Sequence, residues 1–173
     1  MYDIEKWRKA VEFHGHECPG LAIGFKAVEA LTEHIPTGVS ADEEIVCVTE
    51  NDTCAVDAVQ SLLSCTIGKG NLIYKSLGKM AFNFYFRSSG EALRLYFKDE
   101  NKGLSREDYK KYLLNAPTEE LFNISKPTIQ LPETARHFDS VVCEDCGEKV
   151  REDKIRLRNG QKICLGCYKE YDR

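Results

Sequence analysis

The sequence predicts an α+β fold in which helices pack on a mixed or antiparallel sheet, with a small treble-clef-like zinc finger appended. Three observations support this prediction. Helical periodicity covers residues 3–13, 19–34 and 51–65, alternation of large apolar residues covers 80–87 and 93–97, and two Cys-x2-Cys pairs lie within 143–167. A period of 3.6 indicates helices and a period of 2 indicates strands. Paired cysteines at this spacing indicate a metal-stabilised module.

Length and composition limit the classes of function. The 173 residues suffice for one domain and a small appendage, and we predict a core over 1–138 and a finger over 139–173. No apolar run approaches the roughly 20 residues that a membrane span needs. The net charge of −4 gives no general attraction to nucleic acid or acidic membranes. The N-terminus lacks a signal-peptide pattern, so we expect a cytoplasmic protein whose eight cysteines stay reduced.

The first third of the chain predicts two helices joined by a short polar segment. The first helix is predicted over residues 3–13, with Asp3 as its N-cap. The second is predicted to begin at Pro19, because proline suits a first helical position. Gly20 and Gly24 lie four residues apart on this helix, so another backbone could approach it closely on that face.

The polar segment concentrates groups that bind metals or act as nucleophiles. His14, His16 and Cys18, which we call the His/Cys cluster, supply two imidazoles and one thiol. Alternate residues of an extended segment point to the same side. Cys18 is predicted at the N-cap of the second helix, where free N–H groups and the helix dipole stabilise a thiolate. The alternative interpretation is an inert buried thiol with two ordinary hydrogen-bonding histidines.

A second set of polar residues lies on the next predicted helix. A buried strand is predicted over 44–49, and capping residues then start a helix that runs to about residue 65. One face of this helix carries a polar and thiol stripe formed by Cys54, Asp57, Ser61 and Cys65. The stripe either faces the His/Cys cluster and completes one pocket, or consists of a loop-capping aspartate and small core cysteines.

The middle of the chain predicts a turn followed by a β-hairpin. The Gly-rich turn 66–72 lacks the spacing of a phosphate-binding loop, which argues against nucleotide binding. Its Lys69 is either an anion-binding group that projects toward the pocket or a solvated turn lysine. Residues 80–87 and 93–97 alternate as two antiparallel strands, and their aromatic ladder is interpreted as core and not as a base-stacking platform.

The C-terminal half of the predicted core is less regular. Ser105 opens a helix that runs to about residue 115, and Pro117 starts a further short helix that ends near Phe122. Residues 123–140 carry little periodicity. We interpret them as a strand or extended arm followed by a linker.

The tail carries the most specific motif of the chain. Cys143-x2-Cys146 and Cys164-x2-Cys167 are separated by seventeen residues, which matches a tetrahedral structural zinc site. Asn-Gly between them predicts a hairpin, and a short helix is predicted over 168–171. Such a short module needs metal to supply its folding free energy. Its basic and acidic residues nearly balance, so protein docking or dimer stabilisation is favoured over nucleic-acid binding.

Taken together, these motifs resemble the FmdE family, which takes its name from the E component of formylmethanofuran dehydrogenase. The resemblance rests on residues 13–20, 50–58 and 65–72 and on the terminal cysteine pairs, and the tail separately resembles the DksA/TraR-type zinc finger. It implies an α+β core, usually homodimeric, with a cavity near His16 and Cys18 that can accommodate a metal. It also implies an association with molybdenum or tungsten formylmethanofuran dehydrogenase, although the component resembled is not the one that holds the pterin cofactor.

Two functions are consistent with these residues. In the first, the chain is a metal-binding subunit or accessory protein of such an oxidoreductase. The finger holds zinc, and a second transition metal, zinc or nickel, binds in the core. Candidate core ligands are His14, His16, Cys18 and Cys54, and candidate catalytic residues are Cys18, Asp57 and Lys69.

The alternative function is that of a stand-alone metal-trafficking or regulatory protein whose finger docks a protein or nucleic-acid partner. For either function we expect a homodimer and no membrane partner, and nucleic acid is the less favoured partner. The sequence leaves open whether the chain is an enzyme.

Overall fold

The computed structural model describes residues 2–101 and 103–171. The chain divides into two compact units, one that ends at Ala135 and one that begins at Arg136. The first unit has the α+β fold that the sequence predicts. None of the helices in the described ranges combines the length and the apolar character that a membrane span requires.

The first unit contains five helices and five strands within its described residues. The helices are α1 (Ile4–His14), α2 (Pro19–His34), α3 (Ala55–Leu63), α4 (Arg106–Asn115) and α5 (Thr118–Leu121). The strands are β1 (Ile45–Thr49), β2 (Leu72–Tyr74), β3 (Ala81–Phe86), β4 (Ala92–Phe97) and β5 (Phe122–Ser125). All five strands form one sheet in the order β2-β1-β3-β4-β5.

The sheet is mixed because one of its strand pairs is parallel. β1 and β2 run in the same direction, with Thr49 opposite Tyr74, and α3 is the crossover that connects them. The remaining pairs, β1–β3, β3–β4 and β4–β5, are antiparallel. The carboxyl ends of β1 and β2 therefore meet at one edge of the sheet, close to the start of α3.

Local signals in the sequence define the first two helices. The Asp3 carboxylate accepts hydrogen bonds from two backbone N–H groups of the first turn of α1. Gly15 ends this helix with φ +91°, a conformation that glycine adopts without steric cost. Cys18 is the N-cap of α2 and Pro19 is its first residue, as predicted. Only four residues separate the end of α1 from the start of α2, which confines the polar segment.

The closest approach between helices occurs at Gly24. A Cβ placed on this residue would lie 2.0 Å from the carbonyl oxygen of Ala55, so α2 and α3 cross with their backbones in contact. Gly20 faces the same neighbour, since its Cβ would lie 3.1 Å from Cβ of Cys54. The predicted close approach along this face of α2 is therefore confirmed, and it fixes the position of the first turn of α3.

Both faces of the two central strands, β1 and β3, are buried. The alternating Phe82, Phe84 and Phe86 pack in the main core. The opposite face is covered by the segment that follows β5, which is held by polar contacts to its backbone. The Tyr85 hydroxyl donates to the carbonyl of Ile129 at 2.5 Å, and the Arg87 guanidinium donates to the carbonyl of Pro132 at 2.9 Å. The predicted extended arm is thus a structural cover.

An ion pair joins the residue that follows β1 to β4. The buried Glu50 carboxylate accepts from Nε and Nη2 of the partly buried Arg94 at 2.8 and 3.1 Å and from the Asn83 side chain at 3.0 Å. The Glu50 side chain is 2% exposed. Because the Arg94 hydrogen bonds favour the charged form, they hold the pKa of Glu50 below its ordinary value.

The second unit is built from two hairpins. Its strands are β6 (Ser140–Val142), β7 (Lys149–Arg151), β8 (Ile155–Arg158) and β9 (Gln161–Cys164). Asn159 and Gly160 both have positive φ, as the predicted Asn-Gly hairpin requires. A small core forms around Cys143, Ile163 and Cys164.

The short helix predicted over 168–171 is absent, since none of these residues is helical. The N–H groups of Cys167 and Tyr168 both donate to the carbonyl of Cys164, so the cysteine knuckle takes up the first turn.

Candidate metal centres

The His/Cys cluster lies where α1 ends and α2 begins, opposite the first turn of α3. His14 is the last residue of α1, and its Nδ1 donates to Oδ2 of Asp57 on α3 at 2.7 Å. The nitrogen at this contact must carry the proton, because a carboxylate only accepts hydrogen bonds. The other ring nitrogen, Nε2, therefore has its lone pair free to bind a metal.

The ligand atoms of the cluster lie as close together as a shared metal requires. One ligand atom each from His14, His16 and Cys18 lie within 4.8 Å of one another, and the two imidazole ring centroids are 4.4 Å apart. Nε2 of His14 lies 3.7 Å from Sγ of Cys18. A nitrogen and a sulfur on one tetrahedral zinc would be separated by about 3.6 Å, from bond lengths of about 2.05 and 2.3 Å. The donor set therefore fits a metal site with three protein ligands.

Asp57 is itself held in position by a neighbour on its own helix. Nε2 of Gln60 donates to Oδ1 of Asp57 at 3.1 Å, one turn further along α3. Both carboxylate oxygens are thus engaged, one with His14 and one with Gln60. The sequence analysis did not single out Gln60. The i, i+3 spacing from an aspartate on a helix was the signal that could have identified it.

Cys18 is buried and stabilised by its position as a helix cap. The side chain is 2% exposed, and its Sγ accepts from the backbone N–H of Leu21 at 3.3 Å. Cys18 therefore occupies the N-cap position that the sequence predicts, and its sulfur is one of the three close ligand atoms of the cluster.

Cys54 lies beside the cluster but outside the group of three ligand atoms. A Cβ placed on Gly20 would lie 3.1 Å from Cβ of Cys54, so there is little room for a side chain at this position. Burial, followed by a hydrogen bond with Cys18, raises the pKa of Cys54. Cys54 is therefore a neighbour of the cluster and not one of its three close ligand atoms.

The remaining residues of the predicted stripe face elsewhere. Ser61 donates to the carbonyl of Ala58 within α3. Cys65 contacts the carbonyl of Ile45, and burial raises its pKa to about 12, as expected for an inert core thiol. The structure does not bring Lys69 to the cluster, because its ammonium donates to the carbonyl of Ser40 at 2.8 Å.

One further residue beside the cluster was missed. The ammonium of Lys110 on α4 donates to the Glu17 carboxylate, and Lys110 itself is 8% exposed. This hydrogen bond lowers the pKa of Glu17, which lies between His16 and Cys18 in the sequence. The contact spans 93 residues. No local pattern in the sequence could have paired the two side chains.

The second metal site is formed by the four cysteines of the finger. One sulfur each from Cys143, Cys146, Cys164 and Cys167 lie within 4.8 Å of one another. Two sulfurs on a tetrahedral zinc are separated by about 3.8 Å, so the arrangement fits zinc. Hydrogen bonds from the backbone at Cys164 and Cys146 lower the pKa of Cys143 to about 6, which favours its thiolate.

Comparison with known families gives a separate match for each of the two units. Residues 13–130 match the family described as FmdE, molybdenum formylmethanofuran dehydrogenase operon. The match covers more than half of the chain. This chain belongs to the FmdE family. Residues 137–173 separately match the prokaryotic DksA/TraR C4-type zinc finger, which confirms the zinc-finger resemblance of the tail.

Two relatives are similar to this FmdE protein over most of its length. A solved structure of a tungsten formylmethanofuran dehydrogenase FmdE-like protein from Syntrophus aciditrophicus superposes with a TM-score of 0.72 at 26% identity. That match covers 95% of this chain and 90% of the other. A probable S-adenosyl-L-methionine-binding protein of Archaeoglobus fulgidus is 31% identical over 94% of this chain. The alignment covers 52% of that relative, so the FmdE protein spans about half its length.

The FmdE match contains the complete His/Cys cluster and its supporting residues. It begins at Phe13, the residue before His14, and it ends within the segment that covers the sheet. Asp57 and Gln60 on α3 and Lys110 on α4 all fall inside it. The His/Cys cluster therefore belongs to the part of the chain that matches FmdE, and the four-cysteine site belongs to the finger.

Proposed function

We propose that the FmdE core of this protein binds one transition-metal ion through His14, His16 and Cys18. The observation that carries the proposal is the 3.7 Å separation between Nε2 of His14 and Sγ of Cys18, with Nδ1 of the same ring fixed by Asp57. A ligating histidine whose second nitrogen is held by a carboxylate is a recurring feature of metal sites. Three protein ligands also leave a coordination position open for water or substrate.

The donor set favours zinc or nickel over magnesium, because thiolate and imidazole are soft or borderline ligands. A metal bound here would supply Lewis-acid chemistry at its open position. The contributions of the chain itself are specific. Asp57 holds the proton on Nδ1 of His14, and the N–H of Leu21 holds Sγ of Cys18 in position by a hydrogen bond. The burial of Cys18 keeps bulk solvent away from this sulfur.

Elemental mass spectrometry of protein purified without chelator tests this proposal. We expect about two metal ions per chain in the wild type, one in the finger and one in the core, and about one after Cys18→Ser. Cys47→Ala is the matched control, since Cys47 is a fully buried cysteine of β1 that belongs to neither group of close ligand atoms. Equal metal content in all three proteins would contradict a core metal.

We further propose that the protein acts as an accessory component of a larger molybdenum or tungsten oxidoreductase and forms a homodimer. The description of the family and the name of the Syntrophus relative support this association. We assign the docking contact to the second hairpin of the finger, where Leu157 is 70% exposed. Leu157→Asp should abolish co-purification with the partner enzyme from native cells, while the zinc content stays unchanged. Retention of the partner by this variant would argue against docking through the hairpin.

Exchange of the core metal gives a second candidate function, that of a metal-trafficking protein. The specific observation is that His16 is exposed whereas Cys18 is buried, so one ligand can leave toward solvent. Transfer of the core metal to a competing chelator should then be much faster than loss of zinc from the finger. Transfer rates that are equal at the two sites would remove this candidate.

A regulatory role through nucleic acid is less favoured. Two of the finger arginines are neutralised, Arg158 by Asp145 at 2.7 Å and Arg151 by Asp153 at 2.8 Å. Neutralised arginines release fewer counterions on binding phosphate. A cytoplasmic location fits all of these functions, because the eight cysteines are free and reduced thiols persist in that compartment.

A further inference from the structure

A cavity of about 240 Å³ opens where the parallel strands β1 and β2 end. Thr49 and Tyr74, which pair across these strands, line it together with the segment that leads into α3. In sheets with parallel strands, ligands bind in the crevice outside the carboxyl ends of the strands. The position of the cavity in the fold is therefore that of a ligand site.

The walls of the cavity are mostly apolar. Val56 and Leu72 line it, and so do Ile67 and Tyr74, which remain 74% and 45% exposed. Large apolar side chains that border a cavity and stay open to solvent offer contact area to an organic ligand. The volume is below the range of about 300–1,000 Å³ that is usual for drug-sized ligands, so the ligand should be small.

The charge of the cavity is negative. Asp52 and Asp57 line it, and among the described residues no lysine, arginine or histidine does so. Asp57 is engaged by His14 and Gln60. Asp52 is exposed and has no hydrogen-bond or ion-pair partner within the ranges that the structure describes. Two carboxylates outweigh the partial charge of about +0.5 at the N-terminus of α3, so the cavity disfavours anions.

We propose that this cavity binds a small organic cation with an apolar body, such as a primary ammonium compound the size of one aromatic ring. The cationic group lies at Asp52 and over the ring face of Tyr74, which attracts cations through its quadrupole. The apolar body packs against Ile67 and Val56. The site shares Asp57 with the His/Cys cluster but does not require a metal, so it stands independently of the proposed metal centre.

Titration of the isotope-labelled full chain, followed by amide chemical shifts, tests this proposal with benzylammonium, benzyl alcohol and benzoate as matched probes. Benzylammonium should give saturable shifts at Thr53, Val56 and Tyr74. The neutral alcohol should bind about fivefold more weakly, and benzoate more weakly still. Asp52→Asn should weaken benzylammonium binding about fivefold. Asp42→Asn should leave it unchanged, because Asp42 is an exposed aspartate of the loop before β1 and does not line the cavity.

Three results would overturn the proposal. The first is that benzoate binds as tightly as benzylammonium. The second is that the shifts map outside the cavity or do not saturate. The third is that Asp52→Asn and Asp42→Asn weaken benzylammonium binding equally. Asp52 is exposed, so its substitution by asparagine should not affect folding, and the amide spectrum itself reports whether each variant is folded. Shifts are read directly from the protein. The result therefore does not depend on whether the core cluster holds metal.

Discussion

Replacement of Gly24 by alanine should separate α2 from α3 and disturb the core cluster. The new Cβ would lie 2.0 Å from the carbonyl oxygen of Ala55, whereas Cβ atoms essentially never approach a heavy atom within 3.0 Å. The helices must therefore move apart by about 1 Å. Overpacking of this kind lowers the free energy of unfolding by about 3 kcal/mol, the upper end of its usual range, because a backbone carbonyl in a helix cannot move away as a flexible side chain can. The better helix propensity of alanine returns about 1 kcal/mol, which leaves a destabilisation of about 2 kcal/mol.

Thermal unfolding followed by tryptophan fluorescence measures this effect in the core alone. Trp7 is the single tryptophan of the chain, and its ring packs against Phe25 of α2 with centroids 5.5 Å apart. A loss of about 2 kcal/mol should lower the midpoint by roughly 4–8 °C. Because Ala55 lies two residues before Asp57, the same displacement should weaken the contact to His14 and lower the core metal content.

Gly38→Ala is the matched control for this experiment. A Cβ on Gly38 meets no atom within 4 Å, and its φ lies outside the region that favours glycine. Its unfolding midpoint should stay close to that of the wild type. The reasoning would be refuted if Gly24→Ala were as stable as Gly38→Ala, since the backbone contact would then be easily relieved.

Three further substitutions or treatments have defined outcomes. Asp57→Asn should lower the affinity of the core for metal by about 10- to 100-fold, measured by competition with a chelator, because the carboxylate no longer orients His14. Chelation of the finger zinc should unfold the second unit without changing Trp7 fluorescence, because the small core of the finger cannot fold without metal. Glu50→Gln should cost about 3 kcal/mol at neutral pH, measured by chemical denaturation, since it leaves Arg94 buried without its anion.

The Glu50 prediction includes a pH dependence. Its pKa is lowered in the folded protein, so its contribution is complete above the ordinary value of 4.5 and is lost as pH falls through the lowered value. The variant should lack this part of the acid transition, whereas Glu91→Gln, at an exposed glutamate, should retain it. Identical acid transitions in the three proteins would show that the ion pair is not coupled to folding.

Controls distinguish the effects of Asp57→Asn and of zinc chelation from a general loss of folding. Asp42→Asn should keep full metal affinity, and a loss equal to that of Asp57→Asn would assign the effect to net charge. Addition of zinc after chelation should restore the finger. A fall in Trp7 fluorescence on chelation, in step with the loss of the finger zinc, would contradict independent folding of the two units.

The helices of the core could be predicted because their signals are local. Asp3, Gly15 and Pro19 mark a start, an end and a second start through rules that involve only near neighbours. The cysteine spacing of the finger is local in the same sense. The helix predicted over 168–171 failed because a local pattern could not show that the knuckle had already taken up its first turn.

The assembly of the core site depends on contacts that leave no local pattern. His14 meets Asp57 across 43 residues of sequence, and Lys110 meets Glu17 across 93. The sequence could show that α3 carries a polar stripe, but the crossing of α2 and α3 at Gly24 decides which part of it faces the cluster. The segment that covers the second face of the sheet also could not be predicted from the sequence. Its polar contacts go to backbone carbonyls, which every residue possesses.

The two metal sites should differ in how readily they exchange their ions. The finger supplies four sulfurs, which complete a tetrahedral shell, and two of these cysteines, Cys143 and Cys164, belong to its small core. Loss of zinc there requires that this core come apart. The core metal that we propose has three candidate ligands, one of them the exposed His16, and they lie at the ends of helices that pack in the main hydrophobic core. The core site can therefore open without unfolding, so its metal should be the first to leave in a chelator titration.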